Sequence, residues 1–212
     1  MNENKKRVVS GILYILIMWL GASYSETSFR MLFIILGILS IYEIIRLRKD
    51  KNKLIASIYI LLPFILIQLK DMSYNENKGL FDPSLILFIF ILTWTFDTFA
   101  YIFGGKFGRN KIMPYISPKK SWEGLIGGLV CTFIISYLTL NYFSLFNDIK
   151  HSLAITLCLP FTATIGDFIA SYYKRKANVK DSGKLIPGHG GVIDRIDAFT
   201  ITIPLTYLII HI

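Results

Sequence analysis

Apolar positions in this chain gather into runs of about 20 residues, the length that crosses a bilayer as a helix. Short polar stretches separate them. The pattern predicts membrane-spanning helices near 8–24, 30–46, 54–70, 84–104, 122–145, 151–173 and 195–212. The fold class expected is therefore all-α, a polytopic transmembrane helical bundle of about seven spans. The third run is short and the last has little to spare. Residues 1–83 form an N-terminal group of transmembrane helices. Residues 84–212 form a second region with two long polar loops, 104–121 and 174–197. The first apolar run follows Lys5-Lys6-Arg7, as in a secretory leader, but further spans come after it, so a first transmembrane helix is expected. No internal repeat is visible, which removes support for an inverted-repeat transporter.

Composition agrees with that pattern. Of 212 residues, 53% are hydrophobic and 17% charged, where soluble domains carry about 25% charged residues. The formal net charge of +9 would suggest nucleic acid in a soluble protein, but here the basic residues follow the loops. All but Arg30, Lys70, Lys78 and Lys150 of the 23 lysines and arginines fall in alternate loops on one side. The positive-inside rule then puts the N-terminus in the cytoplasm and the C-terminus outside. Cys131 and Cys158 lie inside apolar runs without a CxxC pattern, so they read as small hydrophobes rather than a disulfide or zinc site.

The two basic loops carry more than topology signals. Residues 104–121 are rich in glycine, proline and lysine, and 174–197 contains Pro187-Gly188-His189-Gly190-Gly191. Glycine lets backbone N–H groups approach an anion, and neighbouring lysine and arginine would hold phosphate. Glycine and base alone do not separate that reading from a positive-inside connector. The carboxylates weigh on the choice, because ionisable residues at membrane depth are costly and mark function. Asp97 lies near the basic-loop end of the fourth run, Asp167 lies in the sixth, and Asp194 and Asp197 open the seventh. Asp167, Ser171 and Lys174 share one helix face by spacing, as do Asp194 and Asp197. Carboxylates from separate helices can converge on a hard cation such as Mg2+. The alternative is intramembrane ion pairs with Arg195 or Lys174. Glu43, at the basic end of the second run, reads as an interfacial salt bridge, and Glu123 as part of a capped first turn.

The stretch from Ser171 to Asp197 resembles the signature of the phosphatidate cytidylyltransferases, or CDP-diacylglycerol synthases. Ser171, Lys174-Arg175, Lys180-Asp181, Pro187-Gly188-His189-Gly190-Gly191 and Asp194-Arg195-x-Asp197 stand at its spacings. A second segment is also similar: Asp97-Thr98-x-Ala100-Tyr101, then Ile116-Ser117-Pro118-Lys119-Lys120-Ser121-x-Glu123-Gly124. The chain departs at Tyr173, where an aliphatic residue or Phe is usual, and at Ala198, where Ser is frequent. Its N-terminal half is shorter than in familiar bacterial members.

The resemblance implies the reaction of CTP with phosphatidate to give CDP-diacylglycerol and pyrophosphate, in phospholipid biosynthesis. It implies Asp167, Ser171, Lys174, Asp194 and Asp197 as catalytic residues. Asp167 and Asp194 would bind Mg2+, with Asp97 and Asp197 as auxiliary ligands and K+ as a second cation. Lys119, Lys120, Ser121, Arg175, Lys180, His189, Gly190, Gly191 and Arg195 would hold CTP or the lipid headgroup. The protein would be a homodimer in the bacterial cytoplasmic (inner) membrane, its site facing the cytoplasm and its partners CTP, phosphatidate and lipid, with no nucleic acid. A CTP-dependent polyprenol kinase, an ether-lipid cytidylyltransferase and a cation-coupled transporter are the competing readings. A CDP-alcohol phosphatidyltransferase is disfavoured, since its Asp-Gly-x-x-Ala-Arg pattern is missing.

Overall fold

The computed structural model describes residues 3–47, 53–69, 72, 74–75, 80–140, 149–183, 185–186 and 190–212. Lys184, Pro187, Gly188 and His189 of the signature lie outside the described residues. The helices are α1 (Glu3–Ser23), α2 (Glu26–Leu47), α3 (Lys53–Ile67), α4 (Ser84–Phe107), α5 (Trp122–Leu140), α6 (Ile149–Lys176), α7 (Ile193–Ile196) and α8 (Phe199–Ile210). A helix thus lies under every predicted run. Four of them, in α2, α4, α5 and α6, are long and apolar enough to cross a membrane. The apolar part of α1 (Arg7–Ser23) and α3 are shorter, and α8 has 12 residues.

The structure is helical as expected, with two local departures. Strands β1 (Tyr74–Asn75) and β2 (Leu80–Phe81) form one small antiparallel pair, and β3 (Lys111–Met113) and β4 (Ser117–Ser121) form another. The second pair folds the 104–121 loop back on itself, pairing Lys111 with Ser121. In addition, the last predicted span is interrupted. The Asp197 carbonyl accepts from the Thr200 N–H (3.3 Å) and Thr200 Oγ1 (2.6 Å), so a tight turn divides α7 from α8.

Helix α4 is the centre of the bundle. Leu85 to Phe90 are all buried, which is how a helix apolar all round must be placed. Phe90 stacks on Trp94 and meets Phe199 of α8 edge-on. The outer helices instead expose Val8, Ile12, Leu16, Ile126 and Val130. So much bare apolar surface suits lipid rather than water, and the chain is built as an integral membrane protein. Hydroxyls in the helices are satisfied locally: Ser40, Thr93, Thr132 and Thr202 each donate to the carbonyl four residues back. Others join helices, as with Ser136–Thr156 (2.6 Å) and Thr162–Thr202 (2.8 Å).

Successive helices run up and down, so their ends sort into two groups. At one end Arg30 of α2 donates to the Gln68 carbonyl (3.2 Å), and Phe29 meets Phe81 edge-on. At the other end lie the C-terminal turns of α2, α4 and α6, with the N-terminal turns of α5 and α8. The polar residues of interest all lie there.

Candidate active site at one end of the bundle

One lysine pairs with one of three neighbouring carboxylates. Lys120, in β4 just ahead of α5, places Nζ 3.0 Å from Asp167 Oδ2 on α6 and 5.6 Å from the Phe168 ring centroid. The Asp167 and Asp197 carboxyl groups lie within hydrogen-bond reach of each other. Close backbone packing brings them there: a Cβ on Gly166 would run into the Asp197 carbonyl, so only glycine lets the α7–α8 turn sit against α6. Asp97, on α4, feels both Lys120 and Asp167. It is exposed into a cavity of about 180 Å³, whose lining includes Phe96, Tyr101, Ser117, Lys119, Lys120 and Ser121. The Ser121 hydroxyl caps α5 by accepting the Gly124 N–H at 3.2 Å. Glu123 lies in that capped first turn, as expected, and it also accepts from the Asn110 N–H and side chain, tying the start of the β3–β4 hairpin to α5.

A second cluster is organised differently. Lys174, on the last turn of α6, places Nζ 2.6 Å from Asp194 Oδ1, and both side chains are buried. Asp194 Oδ2 accepts from the backbone N–H groups of Ser182 (2.8 Å) and Gly191 (2.9 Å), with Ser182 Oγ 3.0 Å away. Burial opposes the charge on Asp194, but the Lys174 ammonium and these two N–H groups more than offset it. They hold its carboxyl below the usual carboxylate range. Gly190 has φ +87°, and a Cβ there would sit 2.5 Å from Asp194 Oδ2. The turn is closed by the Ile186 N–H to the Gly190 carbonyl, 2.9 Å. Glycine at 190 is thus required both by backbone and by space.

Glu43 corrects the salt-bridge expectation. It is 2% exposed, and its carboxylate accepts from Ser182 Oγ (2.7 Å), the Val192 N–H (2.9 Å) and the Ile193 N–H (3.0 Å). Among the described residues the ion pairs are Arg30–Glu26, Lys120–Asp167 and Lys174–Asp194, and Glu43 belongs to none of them. The reason is depth: α2 carries Glu43 inside the bundle, where free N–H groups of the α7 turn meet it, while Arg46 is exposed. Tyr14 of α1 donates to the Arg195 carbonyl (3.2 Å), and Tyr59 of α3 bonds Thr200 of α8. These anchors escaped the sequence reading; a glutamate at membrane depth was the one available signal.

The remaining expected residues divide by position. Ser171 is buried on the α6 face of Lys174. Arg175 is exposed and donates to the Val179 carbonyl at 3.1 Å. Lys180 is exposed, and Gly191 is packed between Ser182 and Glu43. Among the described residues no three of Asp, Glu, His and Cys close to metal-binding spacing. The donor chemistry nevertheless suits a hard cation. Asp97, Asp167 and Asp197 gather near Lys120, with Arg195 and Lys174 also in electrostatic range, and the Asp167–Asp197 approach is repulsive unless a proton or cation sits there.

Comparison with known proteins decides the family. Residues 53–212 match the model of the cytidylyltransferase family. The chain belongs to the cytidylyltransferase family. A phosphatidate cytidylyltransferase of Rickettsia typhi is 33% identical over 209 residues, 95% of this chain and 89% of that protein. The Haemophilus influenzae one is 37% identical over 166 residues, covering 73% of this chain and 57% of its own. The Staphylococcus haemolyticus one is 42% identical over 125 residues, covering 59% and 48%. The chain thus spans about half the length of the latter two relatives. Both clusters, apart from Glu43, lie within the family match.

Proposed function

We propose that the chain is a phosphatidate cytidylyltransferase: a phosphatidate oxygen attacks the α-phosphorus of CTP, the α–β phosphoanhydride bond breaks, and pyrophosphate leaves. The observation that carries this reading is the meeting of the two signature segments. Lys120 from one lies on Asp167 from the other, beside a cavity that also holds Asp97.

Phosphatidate is already an anionic nucleophile, so the site needs no strong base. Its task is to hold two polyanions together and accept charge on the leaving group. Lys119 and Lys120 border the cavity, where phosphate oxygens would replace part of the Asp167 contact. Lys174 gives one of its three N–H bonds to Asp194, and the others would face phosphate with Ser171 from the same helix face. Mg2+, when bound, would neutralise phosphate charge and orient the triphosphate. Asp167 and Asp197 would hold it, since Mg2+ commonly takes one or two carboxylates and completes its shell with phosphates and water. Asp97 is the auxiliary carboxylate, for Mg2+ or for K+. Asp194 would instead fix Lys174 and the loop, because joining a cation would require it to release the ammonium.

The basic loops favour a site on the cytoplasmic face of the bacterial inner membrane, where soluble CTP meets lipid headgroups. A homodimer is part of the same reading. The test is CDP-diacylglycerol formation by the detergent-purified protein from phosphatidate and labelled CTP in mixed micelles, with and without Mg2+. Mg2+-dependent product is expected. Phosphoryl transfer to a polyprenol without CDP-diacylglycerol would move the assignment to a lipid kinase.

A further inference from the structure

We propose that Glu43 of α2, which precedes the matched region 53–212, is a positioning residue for the Lys174–Asp194 pair and acts through Ser182. The proposal rests on the cytidylyltransferase reading for its effect on turnover, and on geometry for the link itself.

Ser182 stands between two carboxylates. Its hydroxyl lies 2.7 Å from Glu43 Oε2 and 3.0 Å from Asp194 Oδ2. A hydroxyl has one proton. The backbone N–H of Ser182 already serves Asp194 at 2.8 Å, so the hydroxyl proton goes to the shorter contact, Glu43. The two other donors to Glu43, the Val192 and Ile193 N–H groups, begin the turn that carries Asp194. Glu43 thus holds both limbs of the signature loop, one at Ser182 and one at 192–193. Asp194 is caught between them, and through it Lys174. Gly191 fills the gap between Ser182 and Glu43, where a Cβ has no room. The line Glu43–Ser182–Asp194–Lys174 ties α2 to the end of α6 over sequence separations of 139, 12 and 20 residues.

Shape and charge separate at this residue. Glutamine fills the same volume but turns an NH2 group toward donors. Aspartate keeps the carboxylate and loses one methylene. A packing role ranks Glu43→Gln above Glu43→Asp; acceptance of three donors ranks them the other way.

The experiment measures kcat and KM for CTP on monodisperse wild-type, Glu43→Gln, Glu43→Asp and Ser182→Ala proteins, with tryptic cleavage after exposed Lys180 as a readout independent of turnover. For Glu43→Gln, kcat should fall about tenfold to a hundredfold, as for a misplaced site group, while KM changes little. Glu43→Asp should recover part of the loss. Combining Glu43→Gln with Ser182→Ala should cost no more than the costlier single change, because both break one line. Cleavage after Lys180 should speed up in Glu43→Gln by more than any change in its melting temperature accounts for. Wild-type kcat in Glu43→Gln, Gln above Asp, or additive losses would overturn the proposal. If wild type itself makes no CDP-diacylglycerol, the functional reading fails, and cleavage alone decides the link: equal rates in wild type and Glu43→Gln sink it. If Glu43→Gln does not fold, Ser182→Ala decides on the same readouts.

Discussion

The two acidic clusters lie at the same end of the bundle yet are built on opposite terms. Around Asp194 the donors close on one carboxylate: the Lys174 ammonium gives it one of its N–H bonds, and the Ser182 and Gly191 backbone N–H groups give theirs. Around Asp167 and Asp197 carboxylates crowd together with Lys120 as the ion-pair partner and a cavity alongside. A buried polar network that is fully satisfied specifies a shape. Carboxylates crowded against one another are the arrangement that, on the proposed reading, would take a cation or phosphate-bound cation. The difference teaches that carboxylates of one signature need not share partners, even three residues apart.

Several changes would break or sharpen that contrast. Asp167→Asn removes the carboxylate that pairs with Lys120. Activity should fall about 10²- to 10³-fold, as when one electrostatic transition-state contact is lost, with little change in melting temperature; CDP-diacylglycerol formation checks it. Asp194→Asn should act first on stability. It leaves the Lys174 ammonium buried without its charge partner, a loss of about 3–5 kcal/mol for a broken buried pair, read from thermal or denaturant unfolding.

The same pair sets a pH dependence. Asp194 is held below the usual carboxylate value in the fold, so its contribution is present above the unfolded value of about 3.9. It is lost as pH falls through the folded value. Melts from pH 3 to 7 should show wild type losing stability on acidification more steeply than Asp194→Asn.

Gly166→Ala tests how Asp197 is brought to Asp167. Its methyl would meet the Asp197 carbonyl, costing about 1–3 kcal/mol as overpacking does, with a larger proportional loss of turnover than of stability. Gly21→Ala is the control. Its methyl would sit 3.1 Å from Leu32 Cδ2 in the α1–α2 contact, where a flexible side-chain end can shift, so about 1 kcal/mol is expected with kcat per folded molecule unchanged.

Much of this was legible in the sequence because bilayers demand long apolar runs. The helices fall where those runs lie, and Asp97, Asp167, Asp194 and Asp197 stood out as carboxylates at membrane depth. The β3–β4 hairpin was hidden because Ser117-Pro118-Lys119-Lys120-Ser121 has neither alternation nor apolar content. Glu43 was misread because its neighbours in sequence are Arg46 and Arg48, while its partners lie 139 to 150 residues away. The split between clusters was equally out of reach. Spacing places Asp194 and Asp197 on one helix face, but the approach of Gly166 to the Asp197 carbonyl sets Asp197 beside Asp167, while Asp194 meets Lys174 and the Ser182 and Gly191 N–H groups.

Mg2+ activation curves for wild type, Asp197→Asn and Asp194→Asn test the division of roles most directly. Asp197→Asn should shift the Mg2+ concentration for half-activation upward, and Asp194→Asn should lower the rate at every concentration with the midpoint unmoved. A midpoint that moves in Asp194→Asn and stays fixed in Asp197→Asn would contradict the account.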